Sequence, residues 1–545
     1  MHILAVSTFV VVVAGSAACA QSVPGADAAD GATDSGGSGD CSAPLSARTR
    51  PIYPPSGSVI TTRRTVFRWA GGESPATVEV CADRPCSHVL RSMRSASREV
   101  ASDDDLPSGV VFWRVLSNPC ERVAIATWEL HVSDRRLETS AAWGAPIDLN
   151  GDGFDDLLVL ARRPSSGVAF LGGPSGLSTT GTTFARFDVG IPFGSAIQRA
   201  GDIDGDGFVD VVMMNEDGVS ILFGSPSGLG SRSAQYVPSI VGPGSYPVAD
   251  GAGDVNGDGY SDLIVGRGDR SPSGAWIYLG GSNGLAASPS VHLGAPPGTP
   301  NFGSTVGGLG DVNADGFADV AVGAPPQMSG DGSNLLFLYL GGADGPNTAS
   351  PIRLASRDAA SPGASGRAAG DINGDGFPDF FSEGMPEGSN IYVGASPPSP
   401  SPLMRLLRLG ALSRGIGDVN HDGFDDVATS LLVTGRLGAT LLLGSAAGMS
   451  TGWSYEIPES ASALSVTGGD YNGDGFPDVA VGLGQLNVVN IYYGGRSGLP
   501  ATPSLTLRLA GAEGFGVEVA VSSDAPRSSA ASGRLHARDL RGAPG

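Results

Sequence analysis

The sequence predicts an all-β chain, a seven-bladed β-propeller preceded by a small β-sandwich. Three observations carry that prediction. The 545 residues include 84 Gly and 39 Pro, a turn-former content that favours many short strands over helices. Apolar residues alternate with period two in the first part of the chain, as half-buried strands require. A nine-residue Asp-rich motif then recurs seven times at a period near fifty, the length of one four-stranded blade.

Taken in order, Met1 to Ala20 carries an apolar run, Ile3 to Ala14, followed by small residues, the composition of a secretory signal. The run is shorter than the ~18 residues of a spanning helix, and no Lys or Arg precedes it. Two cleavage sites compete. Ala18-Cys19-Ala20 fits ordinary processing before Gln21, whereas Ser16-Ala17-Ala18-Cys19 fits a lipobox that lacks its Leu and would place a lipid anchor on Cys19. Residues 21–42, rich in Ala, Asp, Gly and Ser, cannot form a core and are expected to be a disordered linker. Either cut leaves Cys41, Cys81, Cys86 and Cys120. An even count in an exported chain points to two disulfides, and of the three connectivities Cys81–Cys86 with Cys41–Cys120 is favoured.

Residues 43–136 show strand patterns such as Thr65-Val-Phe-Arg-Trp69, Thr77-Val-Glu-Val80, Val111-Phe-Trp-Arg-Val115 and Ala126-Thr-Trp-Glu-Leu130. Their arrangement is similar to a fibronectin type III-like sandwich. Asp103, Asp104 and Asp105 read as a solvated loop.

The propeller is expected over residues 138–520, with 521–545 as a flexible tail. Each motif offers oxygen at positions 1, 3, 5 and 9 and a backbone carbonyl from an aromatic at position 7. The candidate ligands are Asp148, Asn150, Asp152, Phe154 and Asp156; Asp202, Asp204, Asp206, Phe208 and Asp210; Asp254, Asn256, Asp258, Tyr260 and Asp262; Asp311, Asn313, Asp315, Phe317 and Asp319; Asp371, Asn373, Asp375, Phe377 and Asp379; Asp418, Asn420, Asp422, Phe424 and Asp426; and Asp470, Asn472, Asp474, Phe476 and Asp478. An all-oxygen cage suits a hard cation of high coordination number, so up to seven Ca2+ ions are expected in preference to Mg2+ or Zn2+. Gly at position 6 in all seven motifs allows the sharp turn. Ala314 and His421 replace the usual Gly at position 4.

An EF-hand begins with the same letters but needs Glu at position 12. Position 12 here is Val159, Met213, Val265, Val322, Ser382, Thr429 and Val481, so the cage must close at position 9 within a hairpin. Asp and Asn can also serve as ordinary turn caps. The charge argues for an ion: Asp at positions 1, 5 and 9 makes 21 carboxylates and Asp204 makes 22, equal to the net charge of −22. Such clusters repel one another without a cation.

The fourth repeat reads Phe302-Gly303, then Gly310-Asp-Val-Asn-Ala-Asp-Gly316, then Val322-Gly-Ala-Pro325. It resembles the FG-GAP repeat of integrin alpha-chain propellers and related bacterial secreted proteins. Trp143-Gly144 stands for the opening pair in repeat one, and repeats five to seven lack it. Ser504–Leu509 and Gly514-Phe-Gly-Val517 resemble a fourth strand and the start of another repeat, expected to pair near blade one and help close the ring.

The acidic balance disfavours nucleic acid and anionic membrane. Six scattered histidines, His2, His88, His131, His292, His421 and His536, form no metallohydrolase motif. Gly280-Gly-Ser282-Asn-Gly284 fits a nucleophile elbow by letters alone and lacks a triad, while Arg267-Gly268-Asp269 is an integrin-recognition tripeptide by letters alone. The resemblance implies a non-catalytic, secreted or cell-surface binding module for an extracellular protein or glycan. The alternative is a propeller-based polysaccharide lyase or hydrolase, which a Lys, Arg, Tyr or His cluster in the central channel would support.

Overall fold

The computed structural model describes residues 50–520 apart from internal stretches, the longest being 117–127, 133–141, 187–196, 239–246, 326–334, 355–364 and 457–464. The signal segment, Cys19, the linker, Cys41, Cys120, Asp269, Ala314, His421 and the tail lie outside the described residues. No helix occurs among the described residues. None is therefore long and apolar enough to cross a membrane.

The first part forms two sheets, one of three strands and one of six. Alternation puts Phe67, Trp69, Val78, Val80, Trp113, Val115 and Leu130 into the core between them. Phe67 and Trp113 pack at 5.0 Å between ring centroids. Cys81 and Cys86 lie at disulfide distance, with Cα atoms 5.1 Å apart.

Among the described residues, seven four-stranded sheets follow, all antiparallel. In the second, Ile197–Gly201, Asp210–Asn215, Gly218–Leu222 and Gln235–Pro238 pair in chain order. The motif turns the first strand into the second. The first strands of successive sheets lie against each other, making a ring. Apolar positions of neighbouring sheets fill the space between blades; Phe302 of the fourth, for instance, meets Phe337 and Tyr339 of its own blade edge-on and shares one buried cluster with Ile264 and Ile277 of the third.

Closure differs from the reading of Trp143-Gly144 as the opening of repeat one. Ala142–Trp143 pairs instead with Ser58–Ile60 in the six-stranded sheet. The innermost place in the first propeller sheet is taken by Glu518–Ala520, which pairs Leu158 with Ala520, Val159 with Val519 and Leu160 with Glu518. The preceding Phe515 is fully buried against Phe170. The chain's last described strand thus covers an edge that Leu157–Ala161 would otherwise expose.

Candidate metal centre

In each motif the short polar side chains organise their own turn. The position 1 carboxylate accepts the N–H of position 5 at 2.9–3.1 Å in all seven loops. Where position 3 is Asn, its side-chain oxygen accepts the same N–H, and its Nδ2 donates to the position 5 carboxylate, as Asn256 does to Asp258 at 2.9 Å. The other oxygen of position 5 accepts the N–H of position 7, 3.0 Å from Tyr260 to Asp258. Positions 1, 3 and 5 are thereby turned toward one another. In the fourth motif the aromatic ring at position 7 leans on the preceding loop: a Cβ built on Gly257 would meet the Phe317 ring.

Position 9 is a different environment. Asp156, Asp210, Asp262, Asp319, Asp379, Asp426 and Asp478 are at most 1% exposed. One oxygen of each accepts the N–H of position 2 at 2.8–3.0 Å. The other accepts the N–H of a glycine after the third strand at 2.7–2.9 Å. Burial raises these carboxyls, to about 7 for Asp262 and about 8 for Asp319 and Asp426, against the pull of the two amide bonds. The remaining four also stand well above the ordinary carboxylate range, and position 1 with position 5, or with position 3 in loop two, pushes in the same direction. A bound cation would oppose both causes.

The sequence pointed to position 9 as a cage ligand; the structure adds that it is the buried pin of the hairpin. A carboxylate offers about four lone-pair sites, so two hydrogen bonds leave it capacity for an ion. In loop two, ligand atoms of Asp202, Asp204 and Asp210 all lie within 4.8 Å of one another. This is an acidic cluster fit for a hard divalent cation.

The sequence reading missed the glycines that hold these pins: Gly172, Gly224, Gly280, Gly341, Gly394, Gly444 and Gly494. A Cβ at any of them would press into the backbone oxygen of position 8. Their separation from position 9 runs from 14 to 22 residues because the intervening hairpins differ in length, so no fixed spacing announces them. Ser282 sits in such a hairpin turn, bridged to Gly284. Arg267 is 5% exposed at the end of strand Asp262–Arg267, so it is not displayed for recognition.

A ring of four-stranded blades turned by acidic loops defines the class, a repeat propeller with candidate divalent-cation sites. The FG-GAP-like repeat model matches residues 202–265, 254–322, 311–382 and 418–481. The chain carries FG-GAP-like repeats and is similar to integrin alpha chains. It is similar to integrin alpha-PS5 of Drosophila melanogaster, 32% identical over 159 residues, covering 26% of this chain and 15% of the integrin. It is also similar to human integrin alpha-7, 36% identical over 138 residues, covering 24% of this chain and 11% of the integrin. The chain therefore spans only a small part of those relatives. Among solved structures, it is similar to a functionally unknown protein from Desulfotomaculum acetoxidans, with TM-score 0.41 and 11% identity over 68% of this chain and 99% of that one. A Bacillus licheniformis rhamnogalacturonan lyase gives TM-score 0.34 and 12% identity over 82% of this chain and 75% of that one. These two likenesses are too distant to speak to activity.

Proposed function

We propose that the chain is an extracellular, non-catalytic binding module, a β-propeller made rigid by Ca2+ in up to seven hairpin loops, whose surface loops take a protein or glycan partner. The single observation that carries this reading is the cluster of Asp202, Asp204 and Asp210 in loop two, whose ligand atoms lie within 4.8 Å of one another, in a motif that recurs seven times along FG-GAP-like repeats. The oxygen-only ligand set favours Ca2+ over metals that prefer nitrogen or sulfur. Export and surface display follow the signal-like leader and the likeness to integrin alpha chains.

Among the described residues, the innermost strands place Arg199, Arg367 and Arg414 near the centre, together with Asp250. Arg367 and Arg414 are buried, and Arg199 is lowered by burial while Asp155, Asp250 and Asp202 raise it.

The test combines Ca2+ calorimetry on the full chain with a protein and glycan array, followed by a turnover assay on every hit. About seven ions per chain and unaltered captured ligand are expected. A chain that takes up one or two ions, or that degrades its bound glycan, would sink the respective half of the reading.

A further inference from the structure

The seven loops are not independent of one another. Position 8 supplies none of the proposed ligands, yet its N–H reaches back to the position 1 carbonyl of the preceding loop. Val209 donates to Asp148 at 3.1 Å, Ser261 to Asp202 at 2.9 Å, Ala318 to Asp254 at 2.9 Å, Asp425 to Asp371 at 2.9 Å and Asp155 to Asp470 at 3.1 Å. Loops five and seven carry Pro378 and Pro477 at this position and have no N–H to give.

Those same two loops receive a second bond from the blade that follows them. The Asp425 carboxylate accepts the N–H of Asp371 at 2.8 Å, and the Asp155 carboxylate accepts the N–H of Asp470 at 2.7 Å. Asp371 and Asp470 head loops five and seven. Gly370 and Gly469 stand immediately before them, and a Cβ on either would overlap the incoming carboxylate. Each proline loop, unable to brace itself backward, is thus gripped forward by backbone and side chain together.

We infer that Asp425 and Asp155 are positioning residues for the cation sites of the preceding loops, so that the affinity of loop five is set from blade six and that of loop seven from blade one. The inference rests on the Ca2+ reading above. Its physical basis is that a charge-assisted bond fixes the backbone of position 1, whose carboxylate is the first ligand, before the ion arrives. Without that bond, ordering position 1 is a cost charged to ion binding.

The experiment is a Ca2+ titration of the full chain followed by amide hydrogen exchange on peptides covering loops five and six. In Asp425→Ala the midpoint for protecting loop five should rise about tenfold, the order expected for one charge-assisted hydrogen bond, with loop six unmoved. Asp425→Asn should restore most of the affinity, because its side-chain oxygen still accepts the amide. A shift in loop six alone, a shift in every loop, or no shift overturns the inference. If Asp425→Ala does not fold, Asp155→Ala read at loop seven carries the same test. A wild-type chain without Ca2+-dependent protection in any loop would overturn the Ca2+ reading itself, whereas normal protection with unchanged midpoints would overturn only the positioning role.

Discussion

At the scale of the residue, positions 5 and 9 of one loop should behave differently although both are aspartates. Asp258 is exposed and, among the described residues, bonds within its own turn, so Asp258→Ala should remove one ion and cost little stability in chelator. Asp262 is buried and satisfies two backbone amides, those of Val255 and Gly280. Asp262→Ala should therefore cost about 2–5 kcal/mol even without Ca2+, because it leaves two buried donors unmet. Urea melts of both variants in chelator check this; equal melts would show that position 9 is a ligand and nothing more. Gly280→Ala should be severely destabilising by a different route, since its Cβ would push into the carbonyl oxygens of Ser261 and Ile203.

At the scale of the element, the closing strand is the informative one. Glu518–Ala520 is three residues long, and together with Phe515 it covers the inner edge of Leu157–Ala161. Ending the chain before Gly514 should expose that edge and the Phe170 face beneath it. Self-association at micromolar concentration and a lowered melting temperature are expected, measured by sedimentation and calorimetry. A monomer with native melting would mean that the ring does not depend on this strand.

At the scale of the whole molecule, ions that bind the folded ring and not the unfolded chain stabilise it by mass action, about 2.7 kcal/mol per site at a hundredfold excess over Kd. Several such sites should lower the melting temperature by many degrees when chelator removes the metal. Differential scanning calorimetry with and without Ca2+ reads this directly. Unchanged melting would defeat the proposal that the loops are metal-rigidified.

Much of this was legible in the residues. Seven copies of one motif at a near-constant period determined the all-β class and located the acidic hairpins, because a hairpin turn and its polar side chains are local and their spacing survives in the chain. The alternation in Thr77-Val-Glu-Val80 and Val111-Phe-Trp-Arg-Val115 likewise announced the buried face of the sandwich. What the tertiary structure decided is non-local. Trp143 resembles a repeat opening by its letters, yet it joins the sandwich because the last strand, more than 350 residues later, occupies the place it would have filled. The glycines that pin position 9 and the carboxylates of Asp155 and Asp425 act on partners across a hairpin or a neighbouring blade. Contacts of that kind depend on how the sheets stack about a common axis, and no spacing along the chain encodes them.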